Sequence, residues 1–146
     1  MVTVRLADVE RDALAILDGA KDFIARMDFT EGLPEDDAGL IEAVKALIAA
    51  GMEIAVTEHE GRIVGGIGML PVPSAWNPKI AVDSERFWWT APGAPPTTAL
   101  ALLRWAMGRG PKLKAFVKLT SSPDGVTDVY RRLGLRKIEE TWIGIV

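Results

Sequence analysis

The chain has 146 residues, of which 49% are hydrophobic and 25% are charged, a composition typical of one globular domain with its own core. It contains no cysteine and one histidine, which excludes disulfide bonds and thiol catalysis, and we expect no metal site. The sequence has neither the apolar run of a signal peptide nor an apolar stretch long enough to span a membrane. We therefore expect a cytoplasmic protein without a membrane partner.

The net charge of -3 is unevenly distributed along the chain. Residues 1–60 carry 5 basic and 14 acidic side chains, whereas residues 100–146 carry 9 basic and 4 acidic ones. An acidic first part favours a cationic ligand and a basic last part favours an anionic one, unless these charges merely solvate the surface. The isoelectric point of 5.2 argues against a nucleic-acid partner.

A strand and two helices are predicted in the first 50 residues. Alternating apolar and polar residues predict a strand over Val2–Leu6. Asp8 can cap the helix that follows. A second helix is predicted over Glu35–Ala50, with Gly51 just past its end. Apolar residues recur at helical spacing along the first helix and form its predicted buried stripe: Val9, Ala13, Ile16, Leu17, Ala20, Phe23, Ile24 and Met27.

Three strands are predicted next. Glu53–Thr57 and Arg62–Leu70 flank a short turn and predict a hairpin. Pro71–Pro78 is predicted to be a loop, and Lys79–Ala91 a long third strand that the following prolines end. Trp88, Trp89, Trp105 and Trp142 are predicted to be core residues, and the loop residue Trp76 is predicted to fold onto the sheet or to line a pocket.

The third strand leads through a proline-rich loop into a helix. Thr97 or Thr98 can cap this helix, which is predicted over Ala99–Met107 and is ended by Gly108 and Gly110. A strand end, a short loop and a helix N-terminus bring free N–H groups and a positive dipole end together. Such a corner suits a phosphate group, although an ordinary strand-to-helix connection explains it as well.

The rest of the chain alternates again between strands and a helix. Leu113–Leu119 is predicted to be a strand, Asp124–Leu133 a short helix, and Leu135–Val146 a bent strand or tight hairpin. The complete order, β-α-α-β-β-β-α-β-α-β, indicates a single α/β domain over residues 1–146. Its predicted sheet is mixed and covered by helices on both faces.

This order of elements resembles that of the GNAT N-acetyltransferase superfamily over the whole chain. The matching sequences are Thr90-Ala91-Pro92 before a helix and Tyr130-Arg131-Arg132-Leu133-Gly134-Leu135 near the end. The resemblance implies a mostly antiparallel, six- to seven-stranded sheet. It also implies that the parallel strands Arg86–Ala91 and Leu113–Leu119 splay apart at their C-terminal ends and admit the pantetheine arm of acetyl-CoA.

The predicted cofactor loop departs from the family pattern. That pattern reads Gln/Arg-x-x-Gly-x-Gly/Ala, and its conserved positions here hold Pro95, Thr98 and Leu100. Two prolines also remove amides that can bind a pyrophosphate. Acetyl-CoA therefore binds in an altered way, or the chain has weak or no acetyltransferase activity. The residues that the resemblance assigns to cofactor binding are Trp89, Thr90, Ala91, Thr97, Thr98, Ala99 and Leu100.

The resemblance also implies two catalytic residues. Tyr130, the only tyrosine, corresponds to the general acid that protonates the departing thiolate, and its alternative role is core packing. Glu85 is the candidate general base for the amine. Asp83 lies on the same face by alternation, and a solvated carboxylate or a water chain is the alternative to either.

The function predicted from these residues is acetyl-CoA-dependent N-acetylation of a primary amine on a small molecule or peptide. The amine attacks the thioester directly. The alternatives are transfer of an acyl or aminoacyl group from another donor and a non-catalytic GNAT-like binding or assembly module. The acceptor and the oligomeric state, monomer or homodimer, stay open.

Overall fold

The computed structural model describes residues 1–27, 30–34, 36–121, 128–142 and 144. One five-stranded sheet runs through the described residues in the strand order of the sequence. The elements are β1 (Thr3–Leu6), α1 (Ala13–Arg26), a 3-10 turn (Thr30–Gly32), α2 (Asp37–Ala49), β2 (Glu53–His59), β3 (Arg62–Pro73), β4 (Ala81–Thr90), α3 (Thr97–Leu113), β5 (Ala115–Lys118) and α4 (Asp128–Arg132).

The sheet is antiparallel from β1 to β4 and parallel between β4 and β5. The parallel pairing runs from Ala81 opposite Ala115 to Ser84 opposite Lys118 and stops there. Strand β4 continues to Thr90 without a described strand on that side. Strand β5 is thus paired over its whole length, and the predicted divergence of Arg86–Ala91 from Leu113–Leu119 stays a prediction.

Helices cover both faces of the sheet, as predicted. Helices α1 and α2 bury one face, and α3 buries the other. The cluster under α1 and α2 consists of Ile16, Leu17, Ala20, Leu40, Val44, Met52, Ile54, Val56, Leu70, Phe87 and Trp89. The cluster under α3 consists of Ala55, Ile67, Met69, Leu102 and Ala106, with Trp88 and Trp105 packed against it.

A β-bulge in β4 decides which face each side chain reaches. Met69 of β3 lies opposite Glu85 and Gly68 lies opposite Phe87, so Arg86 is one residue in excess. Because the extra residue interrupts the alternation, Glu85 lies on the α3 face with Met69, whereas Phe87 lies under α1.

Helix α3 is longer than its glycines predicted. It continues past Met107 to Leu113. The Arg109 guanidinium donates through Nε to Asp83 at 2.7 Å, which ties the last turns of the helix to β4. Lys114 ends the helix with a left-handed φ of 50°.

Because α3 extends to Leu113, three lysines around the predicted Leu113–Leu119 strand lie in different elements. Lys112 lies in α3, Lys114 caps that helix and Lys118 lies in β5. Helix α4 covers only the end of the predicted Asp124–Leu133 helix, and residues 124–127 lie outside the described part.

The predicted last strand does not form among residues 135–142 and 144, so the count of six to seven strands is not confirmed. Trp142 is 87% exposed, and its prediction as a core residue is wrong. Trp76 is also exposed, at 98%, and does not fold onto the sheet. None of the described helices is long and apolar enough to cross a membrane.

Candidate active site

Glu85 lies at the point where β4 and β5 separate. It follows Ser84, the last residue of β4 that pairs with β5. Its Oε2 accepts hydrogen bonds from the amide of Thr120, at 3.1 Å, and from the Thr120 hydroxyl. A side chain of β4 thus joins the chain beyond β5 where the backbone ladder has ended.

The Glu85 carboxyl is nearly inaccessible, with 5% of the residue exposed, which excludes the alternative of a solvated carboxylate. Burial raises its pKa to about 7, although both hydrogen bonds from Thr120 and the positive charge of Arg86 act in the opposite direction. Its Oε1 is buried without a hydrogen-bond partner among the described residues. A carboxyl with these properties exchanges a proton near neutral pH.

Tyr130 of α4 reaches the same point from the other side. Its hydroxyl donates to the carbonyl oxygen of Thr120 at 2.5 Å. Burial, followed by the nearby charge of Glu85, raises the pKa of this hydroxyl, and a hydrogen bond with Trp88 partly offsets the rise. Tyr130 therefore carries its proton at neutral pH, and its hydroxyl lies beside Thr120, two residues beyond the end of β5.

Beyond Ser84, the edge of β4 that faces away from β3 pairs with no strand among the described residues. The amide of Ala91 donates to Val64 of β3 at 2.8 Å. Because successive residues of a strand direct their backbone groups to opposite edges, Trp88 and Thr90 direct theirs to the edge away from β3. There the Thr90 carbonyl oxygen accepts from Arg26 at 3.4 Å, and the backbone groups of Trp88 can bond to a ligand with amide groups.

The side chains predicted to bind the cofactor are distributed differently. The ring of Trp89 is buried under α1 and stacks on Phe87, with 5.7 Å between the ring centroids. The hydroxyl of Thr98 is fully buried and has no hydrogen-bond partner among the described residues, and the side chain lies next to Gly65 of β3. Neither side chain can contact a cofactor from these positions.

The N-terminus of α3 retains part of the predicted anion site. Pro96 occupies the N-cap position, and no side chain caps the helix. The Thr98 amide donates to the Pro95 carbonyl oxygen at 2.9 Å. The Leu100 amide makes the first bond of the helix, to the carbonyl of the N-cap residue, so the amides of Thr97 and Ala99 are the donors left in the first turn.

Two polar contacts were not predicted. Thr120 was missed, and its only signal in the sequence is a polar residue directly after a strand. Asp83 is fully buried and binds Arg109, whose Nη1 also donates to Glu53 at 2.6 Å. Asp83 therefore anchors α3. The described residues contain no group of three His, Cys, Asp or Glu side chains that could hold a metal ion.

Sequence comparison identifies no relatives, since no family model and no curated protein matches the chain. Solved structures do match. A Trypanosoma brucei acetyltransferase is 19% identical, with a TM-score of 0.75 and 100% of both chains covered. A predicted acetyltransferase from Clostridium acetobutylicum, solved with acetyl-CoA, is 19% identical, with a TM-score of 0.72, and 100% of this chain and 96% of that chain are covered.

A transcriptional regulator from Bacillus halodurans matches as well, at 18% identity and a TM-score of 0.76, with 100% of both chains covered. At such low identities the likeness concerns the arrangement of the backbone, and proteins with different names share it. The chain has the fold of the GNAT acetyltransferases, as the order of its elements predicted.

Proposed function

We propose that the chain transfers an acetyl group from acetyl-CoA to a primary amine. The observation that carries this proposal is that Glu85 and Tyr130 both bind Thr120, just beyond the last paired residues of β4 and β5. One residue is a buried carboxyl with a pKa of about 7, and the other is a protonated phenol. An acid and a base at one strand opening are what amine acylation requires.

The two side chains have complementary roles in the proposed reaction. Acetyl-CoA supplies an activated acetyl group. The amine nitrogen bonds to the thioester carbonyl carbon, and Glu85 Oε1 accepts the proton that the nitrogen loses. The carbon–sulfur bond breaks, and Tyr130 donates a proton to the departing thiolate. No acyl-enzyme is required, which agrees with the absence of cysteine.

The bulge supplies a further group for this reaction. Arg86 is the extra residue opposite Met69 and Gly68, and the extra residue of a bulge leaves its backbone groups out of the ladder. Its amide, next to Glu85, is our candidate donor to the thioester carbonyl oxygen. A fixed donor at that oxygen stabilises the negative charge that develops during attack.

The opening also suits the pantetheine arm. Its amides can pair with the backbone groups of Trp88 and with the amide of Thr90, as an added strand does. The Clostridium acetobutylicum structure that shares this fold was solved with acetyl-CoA, which supports the choice of donor. The prolines before α3 leave fewer amides for the pyrophosphate, so we expect weak binding of the nucleotide part.

The proline-rich loop favours one alternative, an acyl donor with a pantetheine arm but without the nucleotide. Calorimetry with acetyl-CoA, CoA and S-acetylpantetheine separates the two functions. Acetyl-CoA that binds at least tenfold more tightly than S-acetylpantetheine supports our proposal. Equal affinities favour the alternative donor, and no binding of any of the three supports a non-catalytic module.

We expect the acceptor to be a cationic amine, because residues 1–60 carry 5 basic and 14 acidic side chains. A panel of monoamines, diamines and peptides with free N-termini, assayed at fixed acetyl-CoA, measures this preference. Higher kcat/KM for diamines than for monoamines of equal length is the expected result. A higher kcat/KM for monoamines than for diamines would contradict the expected preference for a cationic acceptor.

The role of Tyr130 is tested by Tyr130→Phe, which keeps the ring and removes the proton donor. We expect turnover to fall on the order of 10²–10⁴-fold, with little change in the affinity for CoA. Trp76→Phe is the control, because Trp76 is exposed. A Tyr130→Phe variant with the wild-type turnover would assign this residue to packing.

A further inference from the structure

We propose that Thr120 is the positioning residue of this site and that it holds Glu85 and Tyr130 at the same time. Its amide and hydroxyl both donate to Glu85 Oε2. Its carbonyl oxygen accepts from the Tyr130 hydroxyl. All three polar groups of one residue are thus used on the two side chains, and the roles of those side chains rest on the proposed function.

The position of Thr120 in the fold explains why it can do this. It follows β5 by two residues, at the point where the chain leaves the sheet. The preceding residue, Leu119, packs against the core under α3 and fixes the backbone there. The contacts of Thr120 therefore join Glu85 of β4 to the chain beyond β5, next to the last paired residues of the two strands.

Thr120 also determines which carboxylate oxygen of Glu85 accepts the proton. Both of its donors bind Oε2, whereas Oε1 is buried and has no partner among the described residues. A carboxylate oxygen that accepts two hydrogen bonds is a weaker proton acceptor than a free one. We infer that Oε1 is the atom that takes the proton from the amine, and that Thr120 directs it by occupying Oε2.

The other charged groups near Glu85 are few in the described part of the chain. Arg86 is adjacent on β4, and Tyr130 comes from α4. Asp83 lies on the same face of β4 but is paired with Arg109 of α3, and Met69 of β3 is uncharged. The hydrogen bonds from Thr120 are thus the contribution to the pKa of Glu85 that a substitution can change.

The test uses Thr120→Val, which removes the hydroxyl and keeps the shape and both backbone groups. A hydrogen bond to a charged group contributes enough that its loss should move the Glu85 titration upward by about 1 pH unit. The titration is followed by NMR of the side-chain carboxyl carbon in the ligand-free protein. Thr120→Ser should titrate like the wild type, and Thr3→Val, an exposed threonine on β1, is the matched control.

A second measurement needs no altered Thr120. In the wild-type protein the Thr120 amide resonance should shift with the same midpoint as the Glu85 carboxyl, because that amide donates to Oε2. The shift should vanish in Glu85→Gln. This measurement decides the matter if Thr120→Val does not fold. A Thr120 amide that ignores the Glu85 titration, or a folded Thr120→Val variant with an unmoved midpoint, overturns the proposal.

Kinetics then separate this inference from the proposed function. In an active enzyme, Thr120→Val should move the acid limb of the kcat/KM profile upward by about 1 pH unit. Its basic limb should stay in place, because the carbonyl that holds Tyr130 is retained. A loss of rate that is equal at every pH contradicts a positioning role. If the protein binds no acyl donor, the proposed function fails, while the NMR titration still tests Thr120.

Discussion

Glu85→Gln should make the protein more stable at high pH and leave it nearly unchanged at low pH. The replacement keeps the size of a buried side chain that is 5% exposed, and its amide oxygen can still accept from Thr120. It removes the negative charge that the wild type acquires as the pH rises. The variant thus isolates the free energy of burying that charge.

The magnitude follows from the two pKa values of the carboxyl. Glu85 titrates at about 7 when folded, against an ordinary value of 4.5. Between these values the folded protein retains a proton that the unfolded chain has released, so the stability of the wild type falls as the pH rises from 4.5 through 7. At about 1.4 kcal/mol per pH unit, the variant should gain about 2–3 kcal/mol relative to the wild type by pH 8.

Urea unfolding, followed by tryptophan fluorescence between pH 4.5 and pH 8, measures this difference. Glu10→Gln is the control, since Glu10 is exposed. The free energies of unfolding of wild type and control should differ by a constant amount, whereas those of wild type and Glu85→Gln should diverge. Parallel curves for all three proteins would refute a buried, proton-exchanging Glu85.

Three further predictions concern stability. In thermal unfolding, Gly66→Ala should destabilise the protein by about 1–3 kcal/mol, because the new Cβ would lie 2.1 Å from the ring of Trp89. Gly108→Ala should instead stabilise α3 by about 0.5–1 kcal/mol, because nothing lies within 4 Å of the new Cβ. Arg109→Met should cost about 3–5 kcal/mol by urea unfolding, because it leaves Asp83 buried and uncompensated; a cost below 1 kcal/mol would show that this pair does not anchor the helix.

Local patterns predicted most of the elements because those elements depend on local forces. The two N-terminal helices and the β2–β3 hairpin follow from apolar periodicity and from the glycine at the turn. The end of α3 does not, because Arg109 binds Asp83 across 26 positions of the chain. That contact outweighs the helix-ending tendency of Gly108 and Gly110.

The candidate site was predicted in part. The resemblance supplied Glu85 and Tyr130, and the structure brings them together through Thr120. The burial of Glu85 was not predictable, because Asp83 and Arg86 surround it with charge in the sequence. Its hydrogen bond with Thr120 spans 35 positions of the chain, so it could not be predicted from the spacing of residues in the sequence.

The bulge at Arg86 separates the packing of β4 from its free backbone groups. Glu85 lies opposite Met69 and Phe87 lies opposite Gly68, so deleting residue 86 would restore a regular ladder and leave every later side chain on its present face. Trp89 would remain in the core under α1, and the strand would lose the extra amide next to Glu85. Replacing Arg86 by a residue other than proline would keep that amide, so a deletion at this position tests the backbone group and a substitution tests the side chain.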